Sequence, residues 1–181
     1  MWKWVTPISA AVVGLAAMTG CATAPSSAEG KAALGRDVNS ALARAKVRDP
    51  SLQAFLQKAH GYAILPGVAK GAFGIGGAYG QGEVFERGAK IGYCDLSQAT
   101  IGPSLGGQTY TEIIVFENQA ALDDFKAGKV KFAGQATAVG LRAGSGANAQ
   151  YRNGVHVLTV DEQGLMLEAS IGGQTFTFQP L

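Results

Sequence analysis

The sequence AILPGVAKGAFGIGGAYGQG, residues 63–82, places seven glycines among apolar and small side chains. Glycine weakens a β-strand unless the sheet bends sharply or another backbone comes close. The glycine spacing does not match the G-x-G-x-x-G pattern of a dinucleotide-binding loop, and no G-K-S/T follows it, so a phosphate-binding loop is disfavoured. The stretch therefore predicts a strand that glycine bends within a small sheet.

Similar short apolar runs, separated by turn residues, continue along most of the chain. We predict strands near residues 62–65, 70–78, 82–87, 89–95, 101–106, 109–116, 130–138, 154–161, 164–171 and 174–179. Many short strands at close spacing are typical of an antiparallel sheet closed into a barrel or a sandwich. The sequence SLGGQTYT at 104–111 returns as SIGGQTFT at 170–177, which indicates two strands that form the same bend.

Three segments show the apolar spacing and the end signals of helices. The first covers residues 31–46, and the second starts at Asp49 as N-cap and runs to about residue 60. The third follows Asn118 as N-cap and ends before Gly128. The segment near 142–153, rich in Gly, Ala and Asn, is expected to be a long mobile loop. The predicted fold class is α+β, an antiparallel β-barrel core with about three helices packed on its surface.

The N-terminus resembles a bacterial lipoprotein signal. One positive charge is followed by an apolar stretch over residues 5–18 and by small residues before Cys21, the order typical of a secretory signal. We therefore predict a signal peptide at 1–20, lipidation of Cys21 (diacylglycerol and palmitate) and a flexible tether at 21–30. An ordinary signal peptide with a chance cysteine and a membrane anchor helix are the alternatives. Because Ala22 rather than Asp follows the cysteine, we expect anchoring to the periplasmic leaflet of the outer membrane.

The composition disfavours several classes of protein. Charged residues make up 15% and apolar residues 47% of the 181 residues, which argues against wholesale disorder. The net charge of +2 is too small for a dedicated nucleic-acid binder. Once Cys21 is acylated, Cys94 is the remaining cysteine of the mature chain. It lies beside short apolar runs, and we interpret it as a small buried side chain rather than a reactive thiol.

No pattern of catalytic or metal-binding residues stands out in the sequence. The two histidines, His60 and His156, form no H-x-x-x-H motif, and C-x-x-C is absent, so no zinc or haem ligand set is predicted. No serine lies in a G-x-S-x-G motif. The neighbouring carboxylates at 123–124 and 161–162 are interpreted as residues of a helix surface and a turn. We therefore expect neither an enzyme nor a bound cofactor.

The glycine-rich stretch resembles the signature of the SYLF family. Further matches follow in order, namely SLGGQ at 104–108 before an apolar strand, Asn118, Ala121-Leu122, Phe125, Gly128-Lys129, Gly164-Leu165 and SIGG at 170–173. The resemblance covers about residues 60–175, and we assign residues 31–181 to a SYLF domain. The family implies a lipid-binding module with a β-barrel core. Its eukaryotic members bind phosphoinositides, and its bacterial members are secreted proteins or lipoproteins.

Binding of a lipid headgroup needs Lys or Arg side chains that donate to phosphate oxygens beside apolar surface. The candidate headgroup-binding residues are Arg36, Arg44, Lys46, Arg48, Lys58, Lys70, Lys129, Lys131, Arg142 and Arg152. Each of them would also suit an ordinary solvated surface. The predicted function is weak binding of anionic, phosphoinositide-like phospholipid headgroups by a membrane-tethered lipoprotein, in maintenance of the cell envelope. The alternative is a periplasmic scaffold that binds a protein partner and has no enzymatic activity.

Overall fold

The computed structural model describes residues 25–130, 132–133, 138–168 and 171–181. Those residues form three helices and six strands, which confirms the predicted α+β class. The helices are α1 (Ala28–Arg48), α2 (Ser51–Lys58) and α3 (Gln119–Lys126), and the strands are β1 (Gly61–Glu86), β2 (Ala89–Phe116), β3 (Phe132–Ala133), β4 (Ala138–Gly140), β5 (Val155–Glu168) and β6 (Ile171–Pro180). None of the described helices is both long enough and apolar enough to cross a membrane. The predicted signal peptide, Cys21 and Lys131 lie outside the described residues.

The sheet is built on two unusually long strands. β1 and β2 pair antiparallel from Gly61 opposite Phe116 to Glu86 opposite Ala89. β5 and then β6 pair antiparallel along the other edge of β2, so the centre of the sheet is a three-stranded ribbon. β3 adds to β6 antiparallel, and β4 adds to β5 in parallel. The short strands predicted over 62–116 therefore merge into two, because bulges and glycines bend each strand without ending its pairing.

The ribbon folds across its middle, where Gly74 (φ +72°) and Gly106 (φ +129°) adopt backbone angles that favour glycine. The fold brings the two parts of β1 together, since a Cβ atom on Gly82 would overlap the carbonyl oxygen of Ile64. The fold thus divides the ribbon into a first half and a second half. The first half comprises residues 61–70, 107–116 and 155–164, and the second half comprises residues 76–86, 89–100 and 171–180.

The predicted closed barrel is wrong for the residues that the structure describes. Their strand order is β3-β6-β2-β5-β4, with β1 paired to β2 alone, and no pairing returns from the far edge to β1. Folding the ribbon over covers the apolar face of each half with the other half. The core is therefore enclosed without the ring of hydrogen bonds that defines a barrel.

Apolar side chains form two buried clusters, one inside the folded ribbon and one outside it. Inside, the ring of Phe125 from α3 packs against Phe116 and Phe176, with ring centroids 4.9 and 5.2 Å apart. Outside, α1 and α2 cover the ribbon, and Val38 lies in one cluster with Ile64. Each fully buried large apolar side chain contributes about 1.5–3 kcal/mol to folding, so the two clusters hold the helices to the sheet.

The helix ends follow the sequence closely. α1 begins earlier than predicted, and the tether is shorter, because the Ser27 hydroxyl accepts a hydrogen bond from the Gly30 N–H at 3.0 Å. Asn118 caps α3 as predicted by accepting from the Ala121 N–H at 3.0 Å. Gly128, with φ at +66°, lies just past the end of α3 and confirms the predicted stop.

The segment predicted as a mobile loop is fastened to the start of α2. The buried Asp49 carboxylate accepts hydrogen bonds from the backbone N–H groups of Gly144 at 3.0 Å and Gly146 at 2.7 Å, and from Ser51. Burial raises the pKa of Asp49, but these hydrogen bonds outweigh it and lower the pKa below its ordinary value. The N-cap of α2 is Pro50 rather than the predicted Asp49. Asp49 and Ser51 instead fix residues 144–147, which lie far away in sequence.

Replacing Asp49 with alanine should lower the free energy of unfolding by about 2–4 kcal/mol, because buried N–H groups lose a charged acceptor. Urea denaturation followed by circular dichroism measures the change. Asp37→Ala, on the exposed side of α1, is the matched control and should change stability by less than about 0.5 kcal/mol. Equal stability of the two variants would contradict a stabilising role for the hydrogen bonds from Gly144 and Gly146 to Asp49.

Candidate functional site

The most exposed apolar side chains of the ribbon gather at its fold. Phe73 is 85% exposed, Ile75 72%, Ile101 72% and Leu105 56%. Phe73 pairs with Leu105, and Ile75 pairs with Ile101, on the neighbouring strands β1 and β2. We call these four residues the apolar tip. They lie where the chain turns from one half to the other, so neither half of the ribbon covers them.

The β1 and β2 segments that carry the apolar tip contain no charged residue, and on β5 Glu168 is paired opposite Ser104. Residues 71–79 and 99–109 contain no Lys, Arg, Asp or Glu. Monomeric proteins rarely expose contiguous apolar patches, and those that exist usually mark interaction sites. Water-exposed strand positions normally carry polar or charged side chains. The tip is therefore suited to contact with an apolar surface rather than with water.

The predicted cations do not gather at the tip. Arg36, Arg44, Arg48 and Lys58 are exposed on α1 and α2, and Lys46 is half-buried. Two of them come together, because Arg44 and Arg48 lie one turn apart and flank the exposed Val47. With Ala43 these three line a shallow depression of about 470 Å³. We call Arg44, Val47 and Arg48 the cationic turn.

The other predicted cations are scattered or engaged. The Nζ atom of Lys129 lies 3.7 Å from Oδ1 of Asp124. Arg142 and Arg152 are exposed near the two ends of the segment 142–153. Lys70 is only 4% exposed, inside the folded ribbon. Its assignment to a surface that meets headgroups is therefore wrong, because its side chain follows the inward alternation of β1.

Lys70 belongs to a group of polar side chains between the two halves. Glu112 is 1% exposed, and its Oε2 accepts a hydrogen bond of 3.2 Å from the Gln174 amide. Gln98 and Thr100 are also buried there, on the inward face of β2. We call Lys70, Gln98, Thr100, Glu112 and Gln174 the interior polar cluster.

The environment of Glu112 disfavours its charge. Burial raises its pKa from 4.5 to about 7, against the opposing effects of the Gln174 hydrogen bond and the Lys70 charge. The sequence carries a signal for this site. In Tyr110-Thr111-Glu112-Ile113-Ile114 the glutamate alternates in step with the core residues Tyr110 and Ile114, so it must point inward with them.

Cys94 is 1% exposed, which confirms the predicted buried side chain. Burial, and then the charges of Asp95, Glu112 and Glu83, raise the pKa of its thiol well above the ordinary value. A thiol in these surroundings stays protonated at neutral pH and is a poor nucleophile.

Comparison with known proteins shows a distant likeness. No family model matches the chain. The chain is 26% identical over 149 residues to Beta cell expansion factor A of Aeromonas veronii, an alignment that covers 82% of this chain and 57% of that protein. The chain thus spans a little over half the length of this curated relative. Because the identity is low, membership of the SYLF family stays a prediction.

The raised pKa of Glu112 makes folding stability depend on pH. A carboxyl whose pKa is higher in the folded state contributes stability that is complete below about pH 4.5 and is lost as the pH rises through about 7. Glu112→Gln keeps the side chain neutral, so it should be more stable than the parent above pH 7, by up to about 3 kcal/mol. Urea denaturation between pH 4.5 and 8.5 measures this. The exposed Glu117→Gln should keep the parent's pH profile, and an unchanged profile in Glu112→Gln would refute the assignment.

Proposed function

We propose that this protein is a membrane-tethered lipoprotein of the SYLF type, and that its folded domain binds bilayers containing anionic phospholipids. The exposure of the apolar tip carries the proposal. Four large apolar side chains in paired positions, on β1 and β2 segments without charged residues, match the chemistry of the boundary between headgroups and acyl chains. No catalytic step and no cofactor form part of the proposal.

The energetics favour the tip over the cations as the main contact. Full burial of a Phe, Ile or Leu side chain is worth about 1.5–3 kcal/mol, so partial insertion of four such residues outweighs two surface arginines. A basic residue near an anionic membrane contributes about 1 kcal/mol, and salt screens it. The cationic turn is therefore proposed to bind headgroup phosphates weakly and to favour anionic over neutral lipid.

The tether is proposed to make a weak contact sufficient. Five residues lie between Cys21 and the Ser27 cap of α1, so the two Cα atoms are at most about 20 Å apart when the chain is extended. With two or three acyl chains on Cys21, the domain would remain beside the periplasmic leaflet of the outer membrane. Contact with lipid then becomes an intramolecular step with a high effective concentration.

Vesicle cosedimentation of the unacylated chain 22–181 tests the proposal. Both buried clusters lie within this chain. We expect binding to vesicles of phosphatidylethanolamine and phosphatidylglycerol, and a loss of at least about tenfold in Phe73→Ser/Ile101→Ser. Leu181→Ser, which changes an exposed apolar side chain outside the tip, is the matched control and should bind like the parent.

The variants separate the possible contacts. Arg44→Gln/Arg48→Gln should weaken binding by several-fold at low salt and have less effect at 0.5 M salt. Equal sedimentation of the parent and the tip variant would contradict the role of the tip. If the parent binds no vesicles, and the tip variant loses one protein partner in crosslinking of intact cells, the periplasmic scaffold is the better description.

Acylation of Cys21 is tested separately in cells. In a bacterial host, the parent should incorporate labelled palmitate and fractionate with the outer membrane. Cys21→Ser should lose the label and leave that fraction, because each buried methylene of an acyl chain contributes about 0.8 kcal/mol to anchoring. Cys94→Ser controls for the other cysteine and should keep the label. Labelling of Cys21→Ser would rule out the predicted acylation site.

A further inference from the structure

The interior polar cluster joins the two halves of the folded ribbon near its bend. Gln98 and Gln174 are paired opposite each other on β2 and β6 of the second half. Glu112 and Lys70 belong to the first half and reach into the same interior. The 3.2 Å hydrogen bond from Gln174 to Glu112 therefore crosses from one half to the other.

Much of the cluster's hydrogen-bonding capacity is unused. Four buried atoms have no partner, namely Oε1 of Glu112, Oε1 and Nε2 of Gln98, and Oγ1 of Thr100. All three side chains are more than nine-tenths buried. A buried polar atom without a partner costs about 1–3 kcal/mol, and water that enters such a site recovers much of this cost. The free energies of the dry and the hydrated interior polar cluster are therefore expected to be close.

We propose that Glu112, buried between the two halves, is a proton-controlled latch on the fold of the ribbon. When Glu112 is neutral, the two halves stay packed behind the apolar tip. When Glu112 is charged, its burial is unfavourable, so water enters the interior polar cluster and the halves separate there. This moves the Phe73–Leu105 pair away from the Ile75–Ile101 pair at the bend. The effect on membrane contact rests on the proposed function, whereas the latch itself does not.

The groups that face Glu112 leave it as the titrating member. Lys70 on β1 is the cation that acts on it, and Thr159 on β5 and Gln174 on β6 are uncharged neighbours. On β2, Tyr110 shares the inward face. The charge of Glu112 helps to raise the pKa of Cys94, so that thiol stays neutral. The pKa of about 7 puts the change of state of Glu112 between pH 6 and 8.

Hydrogen exchange of the chain 22–181 tests the latch. Amides of residues 96–101 and 108–112 should exchange about tenfold faster at pH 8 than at pH 6, after correction for the intrinsic rate. This factor follows from linkage if Glu112 has a pKa of about 7 when closed and about 4.5 when open. Glu112→Gln should abolish the pH effect, and Glu117→Gln should keep it. The comparison between the two variants decides the result, because both retain every other pH-dependent group of the parent.

Vesicle binding separates the latch from the proposed function. With phosphatidylglycerol vesicles, the parent should bind more tightly at pH 6 than at pH 8, and Glu112→Gln should bind equally at both. Exchange that is equal at both pH values in the parent, or that changes alike in Glu112→Gln, would overturn the latch. Exchange that follows Glu112 without vesicle binding at either pH would support the latch and contradict the proposed function.

A second variant covers the case in which Glu112→Gln does not fold. Gln174→Met removes the hydrogen bond that favours the Glu112 carboxylate. The midpoint of the pH-dependent exchange should then move to higher pH. A midpoint that stays in place would count against the latch.

Discussion

The close approach of the two halves of one ribbon is the constraint on which the structure depends. β1 lies against itself where Gly82 meets the carbonyl of Ile64 and where a Cβ on Gly80 would lie 2.7 Å from Val68. A larger residue at these positions would hold the halves apart and open the core. Gly80 and Gly82 therefore allow the two halves to approach closely, a role as important as the bending of the strand.

This way of folding explains both unusual features of the molecule. A ribbon that covers itself leaves its fold uncovered, so the side chains at the bend project beyond either half and form the apolar tip. Between the two halves near the bend there is also interior space that the aromatic cluster of Phe116, Phe125 and Phe176 does not fill. Polar side chains occupy that interior, and among them Glu112 carries a pKa raised by burial.

The sequence predicted local structure well and surface chemistry poorly. Asn118 and Gly128 signalled the ends of α3, because capping depends on neighbouring residues alone. One copy of the repeated segment, 104–111, runs from the bend into the first half, and the described residues 171–177 of the other copy lie in the second half. A lone lysine in a glycine-rich strand suggests an exposed side chain, but Lys70 alternates with the buried Val68 and lies in the interior. Glu112 alternates in the same way with the core residues Tyr110 and Ile114.

What the sequence determined by itself was the set of elements, namely three helices with their caps, glycine-interrupted strands and a candidate acylation site at Cys21. The tertiary structure decided that the strands merge into one folded ribbon rather than a closed barrel. It also decided that Asp49 fastens a loop about a hundred residues away and that the apolar side chains of the bend, not the cations, form the prominent surface. Capping and alternation act over a few residues and can be read locally. Whether a strand ends or bends, and what then covers it, depends on contacts between residues far apart in the chain.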